Sequence, residues 1–481
     1  MRRSISESYI DIREESGMSD RCARVRQDRM DRWKDRYKRL TASEEGEPCF
    51  GGRAIFCLVW PLLLEQLLNV LIGMVDILMV ASLGEAAVSG VSLIDSLNTL
   101  IFQVLFAIAN GGTVVISRFV GARDRKHAGK ASAQLLMITV GTMFLFTFFM
   151  VLGRRPVLSI LYGSIDEEVM RDALTYLALT ALSYPALALY NSSAAGFRAS
   201  GDSRTPLFCS VFMNLLNILG NAIGIYILHM GVAGVAIPTL ISRCVGGLAL
   251  FYLLQTGNTV CRINRWTDFI PDGRTIAMIL SIGIPNGVEN GVFQFGKLIL
   301  SSLVATLGTA AIAGYAVACN LANYFYLPGN ALGAAMLTIV GQCLGAGERK
   351  QAKGYARLLV LLNYLCLLPI CLIMYIFNHQ LVAMYHLSGQ SASYACGLLI
   401  AHTICMIIWP LAFQTPYYFR ASGRAAFTML VAISDMWICR VGLAYLFVKV
   451  CHQDVLWIWY AMFVDWIVRV IVYVTAFRKA E

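Results

Sequence analysis

Charge is scarce in this chain. Asp, Glu, Lys and Arg make up 14% of its 481 residues, and 58% of the residues are hydrophobic. A soluble globular protein carries about 25% charged residues, so these proportions exclude an ordinary soluble domain. The apolar stretches lack the polar alternation of a membrane strand, which excludes a β-barrel. The 40 glycines are scattered. No GxxxxGK[ST] phosphate loop stands among them, which argues against direct ATP coupling within the chain. Neither HExxH nor GxSxG appears, so nothing points to an intramembrane hydrolase and no enzyme activity is expected. The 14 cysteines form no CxxC pair and no metal-ligand spacing. Most lie in apolar stretches, where Cys behaves as a small hydrophobe.

What remains is a succession of long apolar segments. A helix needs about 20 apolar residues to cross the hydrocarbon core. Twelve such segments are predicted, near 54–80, 87–116, 131–153, 171–196, 206–229, 232–256, 274–306, 309–342, 355–377, 393–418, 425–448 and 454–477. The expected fold class is therefore an all-α polytopic membrane protein.

The chain is also a duplication. Residues 61–128 read again at 285–352 with one fixed offset. Pro61 matches Pro285 and Glu65 matches Glu289; Gly121-Ala122 matches Gly345-Ala346. Later, Phe197-Arg198-Ala199-Ser200-Gly201 repeats as Phe419-Arg420-Ala421-Ser422-Gly423. Lys and Arg gather after every second helix, as at Arg123, Arg125, Lys126 and Lys130, and again at Arg349, Lys350 and Lys353. The positive-inside rule makes those loops and both termini cytoplasmic. This accounts for the net charge of +10 without nucleic acid. An even number of helices per half gives the halves one orientation, as in secondary transporters that rock one repeat against the other.

The expected division is a cytoplasmic extension at 1–50, a six-helix lobe at 51–256, a cytoplasmic linker at 257–273 and a second six-helix lobe at 274–478. In the extension, Met30, Trp33, Tyr37 and Leu40 fall on one helical face. That pattern fits an amphipathic helix on an anionic leaflet, or a polar tail with no such role.

Polar groups inside a membrane are expensive and invite a functional reading. In the first helix Glu65, Asn69 and Asp76 fall within roughly 40° of one face at about 100° per residue. The second helix adds Asp95 and Asn98, the fifth Asn214, Asn217 and Asn221, and the sixth Thr239. Carboxylate, amide and hydroxyl oxygens suit a proton or a sodium ion; the same groups also suit hydrogen bonds between helices. Asp76 aligns with Leu300 and Asp95 with Cys319, so ion coupling is expected mainly in the N-terminal half. The seventh helix carries Asn290, Gln294 and Lys297 on one face beside Glu289. Lys297 is two turns from Glu289, so its partner is expected from another helix. Asp465 and Arg469 have the i,i+4 spacing of a structural ion pair.

Several signals occur in a fixed order: Pro61 through Val75-Asp76, the paired Leu-Gly-x-Ala-Ala stretches, Phe197-Arg198-Ala199-Ser200-Gly201-Asp202, Gly231-Val232-Ala233-Gly234, and Val340-Gly341-Gln342 leading to Gly345-Ala346-Gly347. With the doubled architecture, the sequence resembles the multidrug and toxic compound extrusion (MATE) transporters, in the bacterial group with NorM-like members. The resemblance implies twelve helices in two pseudo-symmetric six-helix lobes around a central cavity. It implies a secondary antiporter that exports small cationic amphipathic compounds against inward H⁺ or Na⁺, with no other cofactor. A multi-pass protein of the plasma membrane, of bacterial inner-membrane type, is expected, and so is a monomer. Asp76 matches the coupling Asp of helix 1, Asn217 an Asn of the cation site and Thr239 its helix 6 Thr. Asn221 stands where that site commonly has Asp, which removes one negative charge. Glu65, Asn69, Asp95, Asn98, Glu289, Asn290, Gln294 and Lys297 are the expected substrate-cavity residues. A lipid-linked saccharide flippase of related architecture is the alternative; handling pyrophosphate would call for several Arg or Lys in the cavity.

Overall fold

The computed structural model of the protein describes residues 48–163, 166–257 and 259–479. The amphipathic segment expected around Met30, Trp33, Tyr37 and Leu40 lies outside them.

Among the described residues ten helices are each long and apolar enough to span a membrane, and two bent pairs complete a set of twelve. The first lobe holds Gly52–Ala81 (α1), Glu85–Gly121 (α2), Arg125–Leu152 (α3), the pair Glu167–Leu182 and Tyr184–Ala199 (α4), Arg204–Ile227 (α5) and Ala233–Thr256 (α6). The second holds Gly273–Ala305 (α7), Thr309–Gly345 (α8), Arg349–Ile376 (α9), the pair Gly389–Cys405 and Trp409–Ala421 (α10), Ala425–Val450 (α11) and Val455–Lys479 (α12). All twelve predicted segments are present. The bends were not predicted. The fourth helix of each lobe breaks, by 42° in α4 and 72° in α10. Pro185 follows one break, and Pro410 the other. The fifth helix of each lobe loosens into π-helical turns, at Ile223–Ile227 in α5 and at Met436–Gly442 and Leu446–Val450 in α11. Such turns leave hydropathy unchanged, so an apolar pattern does not reveal them.

The turns repeat as faithfully as the helices. Gly84 and Gly308, one repeat apart, precede α2 and α8 with φ of 106° and 100°, a region that only glycine enters without strain. The linker lies against α3: the Gln134 side chain donates to the carbonyls of Asp268 (2.6 Å) and Ile270 (2.9 Å). Lys130 pairs with Asp272 at 2.8 Å. Around the outside, large apolar side chains stay exposed, among them Phe144, Phe148 and Leu152 on α3 and Leu365, Leu368 and Leu372 on α9. A soluble protein rarely presents such a surface; lipid makes it inexpensive.

The buried core falls into one shared cluster and two large separate ones. The shared cluster joins the lobes at the end that bears the basic loops, where Ile55, Leu58 and Val115 pack with Leu332, Met336 and Val340. Toward the other end, Met79, Ile94, Met143 and Tyr184 form a core within the first lobe alone. Leu300, Phe325, Trp459 and Trp466 form one within the second. The lobes therefore meet at the basic end and part toward the opposite end.

Candidate functional site: two polar centres, one in each lobe

In the first lobe, α1, α5 and α6 bring four predicted residues into one chain of hydrogen bonds. Asn221 donates its amide to Asp76 Oδ1 at 3.1 Å and to Asn217 Oδ1 at 3.4 Å. Asn217 in turn donates to Thr239 Oγ1 at 2.9 Å. Asn217 and Asn221 are one turn apart, so one face of α5 supplies both. Asn221 is fully buried, and its Oδ1 has no hydrogen-bond partner. A buried acceptor with nothing to accept from is costly. Four oxygen-bearing side chains around one such acceptor suit a monovalent cation or a proton on Asp76. No cluster of three or more His, Cys, Asp and Glu suited to a metal ion occurs among the described residues.

Asp95 lies near this chain but outside it. The Tyr176 hydroxyl donates to Asp95 Oδ1 at 3.3 Å and the Asn98 amide at 3.5 Å. Tyr184 donates to Asn98 Oδ1 at 2.6 Å. Asn98 is buried, whereas Asp95 keeps exposed surface and remains open to a ligand.

Arg243, absent from the sequence-based site, is a further charged residue of this polar region. It lies one turn beyond Thr239 on α6. Its guanidinium donates to Ser183 Oγ at 2.8 Å and covers the Phe102 ring at 5.2 Å. Ser183 is the residue at the break of α4, so the bend sets the acceptor in place. Asp76 and Asp95 both lie within its electrostatic reach. A charged residue in the middle of an apolar helix was the signal that could have found it.

Two of the expected cavity carboxylates, Glu65 and Glu289, are bonded to arginines. Glu65 takes both of its hydrogen bonds from one Arg198 nitrogen, at 2.8 Å to each oxygen. Glu289 pairs with Arg420 at 2.7 Å. Glu65 and Glu289 are repeat partners, and so are Arg198 and Arg420. Each lobe thus ties its first helix to its fourth by the same ion pair, and neither glutamate retains an unmatched charge. Asn69 is exposed and makes no hydrogen bond to another described residue.

The second lobe encloses a cavity of about 550 Å³. Glu289, Asn290 and Lys297 line it; Gln294 is not in the lining, where α7 contributes Phe293, Lys297, Leu300 and Ser301. Four cationic side chains reach its wall: Lys297, Arg420, Arg440 and Arg469. Arg420 is matched by Glu289. Arg440 pairs with Asp465 at 2.5 Å, and Arg469 bonds Asp465 at 2.7 Å and Asp435 at 3.0 Å. The expected Asp465–Arg469 pair is therefore half of a four-residue buried network. The partner expected for Lys297 is missing: no described carboxylate lies within 4.0 Å of it, and its ammonium sits 5.1 Å over the Phe293 ring. His402, also unforeseen, is buried between Tyr326, whose hydroxyl is 3.2 Å from Nε2, and the Trp459 ring at 4.9 Å.

Two parallel six-helix lobes, joined at one end and each holding a polar centre at membrane depth, define a secondary-transporter architecture. A family model described as MatE matches residues 61–223 and 285–446, one block in each lobe, and the chain belongs to this family of multidrug and toxic compound extrusion transporters. It is 25% identical to a probable multidrug resistance protein NorM of Thermotoga maritima, over 86% of this chain and 89% of that one. It is 26% identical to an uncharacterized transporter, YisQ, of Bacillus subtilis, over 87% and 93%. Among solved structures, a MOP superfamily transporter from Pyrococcus furiosus superposes with a TM-score of 0.82 at 22% identity, covering 88% of this chain and 94% of that one. An outward-facing multidrug resistance MATE family transporter gives 0.81 at 21%, over 88% and 94%. At that identity the structural likeness speaks for the fold.

Proposed function

We propose that the protein is an ion-coupled antiporter of the plasma membrane that exports amphipathic organic compounds by alternating access. The observation that carries this reading is the Asp76–Asn221–Asn217–Thr239 chain of bonds across α1, α5 and α6. A proton or Na⁺ arriving at Asp76 changes the hydrogen bonds of three helices at once. It can therefore bias one arrangement of the first lobe over another, which is what coupling requires. With the basic loops cytoplasmic, the closed end faces the cytoplasm and the parted end faces outside, where the coupling ion enters and substrate leaves.

Organic cations remain the proposed cargo of the first lobe. Their electrostatic support now rests on Asp95 and Asp76, since Glu65 and Glu289 are neutralised by arginines. The flippase reading receives less support: among the described residues, Arg420, Arg440 and Arg469 at the second-lobe cavity are matched by carboxylates and Lys297 is not, whereas a pyrophosphate headgroup carries several charges. The test is uptake of a fluorescent organic cation into inverted vesicles, with Na⁺ and pH gradients imposed separately. Uptake driven by one gradient and collapsed by dissipating it is the expected result; uptake indifferent to both would overturn the reading.

A further inference from the structure

We propose that the second-lobe cavity is a binding site for an amphipathic organic monoanion, such as an aromatic carboxylate, with Lys297 as its counter-ion. This goes beyond the exporter reading by naming a ligand class of opposite charge, and it rests on that reading only for the route by which such a ligand would leave the cell.

The charges around the cavity do not balance. Lys297, Arg420, Arg440 and Arg469 line the cavity, and the three carboxylates bonded to the arginines are Glu289, Asp435 and Asp465. Counted as formal charges, four positive against three negative leave one, and geometry assigns it to Lys297, the member with no carboxylate in reach. Lys297 is exposed and lines the cavity, and its ammonium rests on the face of Phe293. A lysine at membrane depth is costly to leave unpaired, and such residues mark substrate pathways. The remaining wall suits an aromatic body. Tyr315, Tyr326, Trp409, Trp459 and Trp466 line it, and Asn290 offers an amide two turns from Lys297 on the lining face of α7. A volume of about 550 Å³ lies within the roughly 300–1,000 Å³ of small-molecule pockets. One surplus charge selects a monoanion over a dianion, because a second negative charge would be desolvated without a partner.

The experiment uses the full chain in detergent micelles and three probes of one aromatic shape: pyrene-1-butyrate, its neutral methyl ester, and the matching pyrenyl-butyl-trimethylammonium. Energy transfer from the cavity tryptophans reports binding. The carboxylate should bind about tenfold tighter than the ester, the scale of one charge-assisted hydrogen bond. Lys297→Gln should bring that ratio to within about twofold, and Lys297→Arg should restore it. Lys297→Gln breaks no described ion pair, and an unchanged thermal unfolding midpoint would show that the fold is intact. Equal affinity for carboxylate and ester, tighter binding of the ammonium probe, or a preference that survives Lys297→Gln would overturn the site. Binding needs no gradient, so loss of vesicle transport with the carboxylate preference intact would count against the exporter reading alone.

Discussion

Gly121 and Gln342 touch across the two lobes so closely that no side chain fits between them. A Cβ on Gly121 would lie 2.0 Å from the Gln342 carbonyl oxygen, and a Cβ on its repeat partner Gly345 would lie 2.0 Å from the Arg118 carbonyl oxygen. Arg118 and Gln342 are themselves repeat partners. Each also sends its side chain into the opposite lobe: Arg118 to the Ala421 carbonyl at 2.7 Å, Gln342 to the Ala199 carbonyl at 2.7 Å. The α2–α8 crossing is thus a symmetric seal at the basic end.

Gly121→Ala and Gly345→Ala should each force the crossing apart, at a cost of about 1–3 kcal/mol for overpacking. Expression and insertion are expected to be normal. Cysteine reagents applied from the basic-loop side should then label Ser117→Cys, which is buried in the sealed form. Labelling as low as in the parent would show that the seal tolerates the methyl group.

The Glu65–Arg198 and Glu289–Arg420 pairs predict a rescue. Removing one partner strands a buried charge, at about 3–5 kcal/mol. Glu289→Gln should therefore lower the unfolding temperature strongly. Glu289→Gln with Arg420→Met should recover most of the loss. A double variant no more stable than the single one would mean that Arg420 contributes through something other than Glu289.

Asp76→Asn should abolish gradient-driven export while leaving insertion intact. The amide can still accept from Asn221, so packing survives. It cannot take and release a proton, and it gives Na⁺ no charge compensation. Asn221→Asp should act in the other sense by restoring a second negative charge beside Asp76, which strengthens Na⁺ dependence. Transport under imposed Na⁺ and pH gradients, compared at equal expression, checks both; normal driven transport by Asp76→Asn would move the coupling site elsewhere.

Asp95→Asn should weaken export of organic cations by about tenfold, the worth of one charge-assisted contact, without removing ion dependence. Tyr176 and Asn98 can still donate to the amide oxygen, so the local fold should hold. Unchanged affinity for the cation would place its counter-ion away from Asp95.

Hydrophobic runs of about 20 residues determined the twelve spans, and a fixed repeat offset with alternating basic loops determined two parallel lobes, because length, polarity and duplication are properties of the chain itself. Asp76, Asn217, Asn221 and Thr239 were legible for the same reason: polar side chains at membrane depth must face protein, and they meet. What each charge does was decided only by tertiary structure. Glu65 and Asp95 look alike in sequence, yet Arg198, more than 130 residues away, neutralises one and leaves the other open. Lys297 in sequence calls for a carboxylate that the packing does not supply, and Arg243 sits in an apolar helix with its partner, Ser183, brought to it by the bend in α4. Pairing depends on which helices become neighbours and on how far a break or a π-turn rotates a side chain. Neither leaves a mark on hydropathy.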